Sequence, residues 1–268
     1  MHQRHDSATA RFSDGKIMRN IDMCENPIFI VGAPRSGTTL LRSLIDAHPN
    51  ICCPTWETGL FERFRAIIDG DIQWHFKNDP ALAVDREGLL KWMRRSADDL
   101  MLQLTAATQK PRWAEKTPAH VFQIELIHEL YPQAQFIHIL RNGRDVVRSL
   151  QSMPWAPRNI RWSCRRWVES VQAACTAAKK LPADKYLELR YEDLVEDPPA
   201  AIQRLCDFLH EHVADQMLAF DNPENNSWGI QQQALSRSPV NRHRGLNLVE
   251  RFVFSKIASP LLIELGYN

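Results

Sequence analysis

Three features of the 268-residue sequence predict an α/β fold, a three-layer α/β/α arrangement around a central, mostly parallel sheet. Short, continuous apolar runs of strand length alternate with longer segments that carry a helical apolar stripe, the pattern of parallel strands covered on both faces. The first such run ends in a glycine-bounded loop that opens directly into a helix, which puts a ligand site at the carboxyl ends of the strands. With 44% hydrophobic and 24% charged residues the chain has the material for a sizeable core, and its length lies within the range that α/β folds reach as one unit.

Taken in order, residues 1–25 are a polar N-terminal segment without the apolar run of a signal peptide. Ile28 to Val31 is the first strand, and Thr38 to Ala47, with Leu40, Leu41, Leu44 and Ile45 on one stripe, is a helix lying on the sheet. Pro49 and Pro54 bound a short strand-like piece from Ile51 to Cys53. Residues 60–110 read as a helical insert, interrupted near Gly70, Asp79 and Pro80. A helix from Glu125 to Tyr131 is ended by Pro132, and a buried strand spans Phe136 to Leu140. The turn Asn142-Gly143 leads into a helix from Asp145 to Met153. A long helix from Trp162 to Lys180, a strand from Tyr186 to Arg190 and an amphipathic helix from Pro199 to Leu209 complete the alternation. No linker or repeat divides residues 26–268, which read as a single domain.

A formal net charge of +1 gives no general attraction to nucleic acid or membranes, so any anion site is local. No stretch approaches the roughly 18 uninterrupted apolar residues of a membrane span. The cysteines, Cys24, Cys52, Cys53, Cys164, Cys175 and Cys206, lack CxxC or zinc-type spacing and read as reduced thiols, in keeping with a cytoplasmic location. The histidines form no HxxxH or HExxH pattern, so no metal is expected.

The loop carries the chemistry. The spacing Gly32-x-x-x-x-Gly37-Thr38-Thr39 is P-loop-like except that Thr38 stands where an ATPase has its lysine. The cation sits inside the loop instead, at Arg35, whose planar, five-donor group bridges anionic oxygens. Losing the lysine that reaches the β- and γ-phosphates argues against ATP or GTP hydrolysis. Backbone amides of the loop and the hydroxyls of Ser36, Thr38 and Thr39 are suited to hold a phosphate.

PRSGTTLL at 34–41, with FIHILRNGRDVVRSL at 136–150, resembles the paired nucleotide-binding motifs of sulfotransferases that use 3′-phosphoadenosine 5′-phosphosulfate (PAPS). AHPNI after the loop, the EKTP box at 115–118, YPQAQFIHILRNGRD at 131–145 and LRYEDLVEDP at 189–198 are similar to bacterial and tyrosylprotein sulfotransferases. The resemblance implies that Arg35, Ser36, Gly37, Thr38 and Thr39 bind the 5′-phosphosulfate side. It also implies that Arg141 and Ser149, eight residues apart, grip the 3′-phosphate, with Tyr191 near the adenine. Glu57, in PTWETGLF, then takes the place of the catalytic glutamate, its affinity for a proton raised by burial beside Trp56, with Glu62 a substitute. Lys116 matches the lysine that donates to the bridging oxygen, and Glu115 either orients it or is structural. His120 stands where the small-molecule enzymes have a base, but reads equally as a helix-start histidine.

Arg144 and Arg148 are further cations near the second motif. The run SRSPVNRHRGLN at 236–247 contains a PVN-like tripeptide, which in the family follows a donor-contacting serine or lysine; here Ser236 and Arg237 are the substitutes. Trp56, Trp74, Trp92 and Trp113 either line an acceptor cleft or pack in the core. The acceptor is a hydroxyl or amine on a small molecule, glycan, lipid or peptide, and the oligomeric state is open. A small-metabolite kinase and a non-catalytic nucleotide-binding protein are the alternative readings.

Overall fold

The computed structural model describes residues 24–70, 85–219 and 246–267. Five parallel strands, β1 (Ile28–Val31), β2 (Ile51–Cys52), β3 (Arg112–Lys116), β4 (Gln135–Leu140) and β5 (Tyr186–Arg190), form one sheet in the order β2-β3-β1-β4-β5. Helix α1 (Thr38–Asp46) leads from β1 to β2 at one edge. α2 (Leu60–Asp69) and α3 (Arg86–Thr105) precede β3, and α4 (Ile124–Leu130) precedes β4. α5 (Gly143–Gln151) and α6 (Ile160–Ala178) lead to β5, followed by α7 (Tyr191–Glu196), α8 (Pro198–Leu209) and α9 (Asp215–Leu218). α10 (Leu248–Ile257) and α11 (Ser259–Glu264) follow near the C-terminus. Because β1 lies between β3 and β4, the chain leaves its carboxyl end toward both sides of the sheet, the place where such sheets open a crevice for ligands.

The three layers follow from strand alternation. Ile28 and Ile30 pack in a core with Leu41 and Ile45 of α1 and Leu205 of α8. Phe29 and Val31 pack in a second core with Phe61 of α2 and Met93 of α3. Phe29 is its hub, with ring centroids 5.3 Å from Phe61, 5.6 Å from both Trp113 and Phe136, and 6.0 Å from Tyr131. A third core joins α5 and α6 to α10 and α11 through Val147, Trp167, Phe254 and Leu262. Helix α3 is tied to this body by Arg94, which stacks 3.9 Å over Tyr131, donates to the Leu130 carbonyl at 2.7 Å and pairs with Asp98 at 2.9 Å. Burial raises the pKa of both Cys52 and Cys53, so neither thiol is primed to react.

The strand β3 has no counterpart among the sequence-predicted elements. Its sequence, RWAEK, carries three charged residues and so lacks the apolar run that marks a buried strand, yet all five residues are buried. Arg112 is accommodated because its Nε donates to the Asn26 carbonyl at 2.8 Å and its Nη1 to the Leu209 carbonyl at 2.9 Å. Helices α5 and α6 each begin two residues before the predicted positions. Asn142 and Asn159 set those starts, their side chains accepting from the amides of Arg144 and Arg161, both at 3.0 Å.

Gly143 is fixed by a close approach: a Cβ there would lie 2.8 Å from the indole ring of the buried Trp167. Trp167 Nε1 in turn donates to the Arg141 carbonyl at 3.2 Å. Gly143→Ala is expected to destabilise the fold by about 1–3 kcal/mol through overpacking, measured as a lowered midpoint in urea unfolding.

Candidate active site

The loop after β1 is held in a conformation that its sequence alone makes unusual. Gly32 and Gly37 have φ of 152° and 104°, and Arg35, a residue with a side chain, adopts a left-handed φ of 75°. Such a residue costs on the order of 1–3 kcal/mol and persists only where its surroundings impose it. The surroundings here are two strand ends. A Cβ on Gly32 would lie 2.8 Å from the Ile139 carbonyl of β4, and a Cβ on Gly37 would overlap the ring of Tyr191, the first residue of α7. Tyr191 carries the Arg141 guanidinium 4.1 Å from its ring centroid, and Arg141 Nη1 donates to the Arg35 carbonyl at 3.3 Å. The Arg35 side chain bends toward α5, where its Nε donates to the Ser149 hydroxyl at 3.0 Å.

Arg35, Arg141, Ser149 and Tyr191 are thus brought together from β1, β4, α5 and α7. Ser36 and Thr38 are buried beneath the loop, whereas Thr39 faces outward. Helix α1 is capped by Gly37, which supplies no side-chain hydrogen bond, so its first amides keep their donors available. Arg141 is 8% exposed, and its Nε is buried without a partner among the described residues. A buried guanidinium donor with nothing to bond is costly, and an anion at the loop would satisfy it. The residues present therefore fit a nucleotide bearing phosphate groups. Ser236 and Arg237, with Trp74, lie outside the described residues.

A cleft of about 530 Å³ adjoins this corner, lined by Arg35, Thr38, Thr39, Glu57, Glu62 and Trp155 among others. Lys116, the last residue of β3, forms an ion pair with Glu57 at the edge of this cleft although 59 residues separate them in sequence. Lys116 is buried to 5% side-chain exposure, while Glu57 remains half exposed at 50%. The expected burial of Glu57 beside Trp56 is absent, since Trp56 is itself 55% exposed. What surrounds this carboxylate is a fixed cation.

Glu115 and His120, adjacent to the cleft, are both buried. The Glu115 carboxylate accepts from the Thr58 amide and hydroxyl at 3.2 and 3.0 Å and from the Thr117 hydroxyl at 2.5 Å, and it lies 2.8 Å from His120 Nδ1. Burial alone would raise its pKa, but the charge of His120 and the hydrogen bonds from His120, Thr117 and Thr58 outweigh it and hold the carboxyl below its ordinary range. His120 sits in the 3₁₀ turn Pro118–Phe122, fully buried, with Nδ1 against the Glu115 carboxylate.

Of the tryptophans named from the sequence, Trp113 belongs to the core, and Trp92 is half exposed beside Phe64 of α2. Trp155 does line the cleft, 59% exposed, and sequence reasoning missed it. Its signal was an aromatic residue in the proline-bracketed loop Pro154–Pro157, where it cannot join a helix stripe. Among the described residues no group of three or more His, Cys, Asp or Glu is placed to hold a metal ion, and no helix is long and apolar enough to cross a membrane.

Residues 27–215 match the model of the Sulfotransferase family. The chain is 27% identical over 260 residues to a protein-tyrosine sulfotransferase of Drosophila melanogaster, covering 90% of this chain and 51% of that protein. It therefore spans about half the length of that relative. It is 30% identical over 279 residues to the nodulation protein NoeE of Sinorhizobium fredii, covering 90% of this chain and 65% of that one. Among solved structures, the sulfotransferase domain from the Synechococcus olefin synthase aligns with a TM-score of 0.60 at 20% identity, covering 91% of this chain and 96% of that one. Mouse sulfotransferase SULT7A1, solved in complex with PAP, aligns at 0.52 and 16% identity, covering 92% and 90%. These structural likenesses concern the fold.

The Glu115 network makes a pH-dependent prediction. A carboxyl whose folded pKa lies below its unfolded value contributes stability that is full above the unfolded pKa and is lost as pH falls through the folded one. Glu115→Gln is therefore expected to lower unfolding free energy at pH 7 by about 1–3 kcal/mol. The difference from the parent protein should shrink in chemical denaturation below about pH 4, the usual carboxylate range.

Proposed function

Because the chain belongs to the sulfotransferase family, we propose that it transfers the sulfuryl group of PAPS to a hydroxyl acceptor by in-line displacement. The observation that carries this reading is Arg141: a guanidinium fixed at the end of β4, bonded to the loop carbonyl of Arg35, with a buried donor that finds no partner among the described residues. An adenine nucleotide with a second phosphate on its ribose suits a site where a phosphate loop and a separate arginine lie side by side. In this reading residues 26–268 act as one domain, and α2 and α3 border the acceptor side.

Position supports a role for each residue. The loop amides and Thr38 and Thr39 hold the 5′-phosphate, and Arg141 and Ser149 hold the 3′-phosphate. Arg35, on the loop and facing the cleft, neutralises charge on the sulfuryl oxygens. Glu57 takes the proton of the acceptor hydroxyl as the acceptor oxygen bonds to sulfur. The bond from sulfur to the phosphate oxygen breaks in the same displacement, and the charge that grows on that oxygen is met by Lys116. The ion pair between Glu57 and Lys116 supports this division, because it brings the base and the cation together beside the phosphate loop. Binding of both substrates would separate the pair and set each group on its own oxygen.

The cleft admits an acceptor with a flat or apolar body, for which Trp155 is the exposed wall. A tyrosyl peptide is the acceptor to try first, since the fruit-fly relative is named for acting on protein tyrosine. Six unpaired cysteines support a reducing compartment such as the cytoplasm.

Calorimetric binding of adenosine 3′,5′-bisphosphate tests the donor half of this reading. Binding should need no metal, and Arg141→Ala should weaken it about 10- to 100-fold, the loss of about 1.5–3 kcal/mol of charge-assisted hydrogen bonding. Preference for Mg-ATP, or indifference to the 3′-phosphate, would overturn it. Glu57→Gln should lower kcat for sulfation of a tyrosyl peptide or phenol by about 10²–10⁴-fold while leaving bisphosphate affinity unchanged.

A further inference from the structure

Glu115 has no place in the displacement, yet its carboxylate is fully occupied: three donors converge on Oε1, and His120 Nδ1 faces Oε2. A buried carboxylate costs several kcal/mol unless it is paired and hydrogen-bonded. Each group that partners it here is joined by the chain to a residue of the cleft. Thr58 directly follows Glu57, and Thr117 directly follows Lys116. The Gly59 amide also donates to the Thr117 hydroxyl, at 3.4 Å, and the Leu60 amide to the Thr58 hydroxyl, at 3.3 Å. Gly59 is the N-cap of α2 and has no side chain to offer, so these groups satisfy the start of α2 in its place, where a negative charge is favourable.

Glu57 itself is half exposed, and its carboxylate pairs with Lys116. Its position has to come from the backbone on either side. On the C-terminal side, that backbone is fixed by Glu115 from within and by Arg63, whose Nη1 donates to the Thr58 and Gly59 carbonyls, each at 2.9 Å. His120, in edge contact with Phe61 of α2 at 5.1 Å, holds the far side of the carboxylate.

We propose that Glu115, partnered by His120, is a positioning residue that clamps the Glu57–Thr58 backbone to the end of β3, so that the Glu57 carboxylate stands opposite Lys116. This rests on the assignment of Glu57 as the base. Displacing a catalytic group by about 1 Å can cost on the order of 100-fold in rate. The clamp therefore acts on turnover, whereas Arg141, Ser149 and Tyr191 of the donor corner take no part in its hydrogen bonds.

A double-mutant cycle with PAPS as donor and phenol as acceptor separates this from a general structural role. Glu115→Ala is expected to lower kcat about 10- to 100-fold with unchanged affinity for adenosine 3′,5′-bisphosphate. On a Glu57→Gln background the same substitution should cost less than about threefold, because the group being positioned no longer takes a proton. Equal losses on both backgrounds, a loss of bisphosphate binding, or an undiminished kcat in Glu115→Ala would overturn the proposal. Should the alanine variant not fold, Glu115→Asp keeps the charge but withdraws it from Thr58, and its cycle is read the same way. A Glu57→Gln enzyme as active as the parent would instead overturn the base assignment, and the clamp with it.

Discussion

The contact on which the site depends is the stack of Gly37, Tyr191 and Arg141. Gly37 has no side chain, so the Tyr191 ring closes against the loop, and the ring supports the Arg141 guanidinium, which bonds the Arg35 carbonyl. Three strand ends meet through these residues: the loop leaves β1, Arg141 ends the run of β4, and Tyr191 follows β5 directly. The left-handed backbone of Arg35 is held by this joint. The joint is braced from behind, because Trp167 bonds the Arg141 carbonyl and the next residue, Asn142, donates its amide to Glu192 at 2.9 Å. Glu192 in turn accepts from the Tyr267 hydroxyl at 3.0 Å, which brings the C-terminal helices into the same network.

A phosphate loop without its lysine places cations differently from a nucleoside triphosphatase. The positive charge is divided between Arg35 within the loop, Arg141 at the neighbouring strand end and Lys116 at the strand end on the other side of β1. Each arrives from a separate strand, so each can address a different oxygen, as a transfer that moves charge from one bridging oxygen to another requires. Lys116 is nearly buried and meets a half-exposed carboxylate, an asymmetry that keeps the lysine in place while leaving Glu57 open to the cleft.

The family match covers residues 27–215, which contain β1 to β5 and every described residue given a role here. The structural relatives agree over about nine-tenths of the chain at identities of 16–20%, so what they share is the sheet and its crevice. Beside the donor corner, the cleft is lined by the exposed Trp155 and by Glu57 and Glu62.

The sequence by itself determined the α/β class and the loop with its misplaced cation, because each is written in local pattern. Apolar runs, glycine positions and cap residues act over a few residues and can be read without knowing what lies across the core. Tertiary structure decided the rest. β3 is a strand although three of its five residues are charged, because carbonyls satisfy Arg112, hydroxyls and an imidazole satisfy Glu115, and a carboxylate pairs with Lys116. Glu57 was legible as a candidate, but its exposure, its partner and its clamp were not, since Lys116 and Glu115 come from nearly 60 residues further along the chain. Contacts made at that separation depend on the order in which parallel strands assemble, and a one-dimensional pattern carries no record of that order.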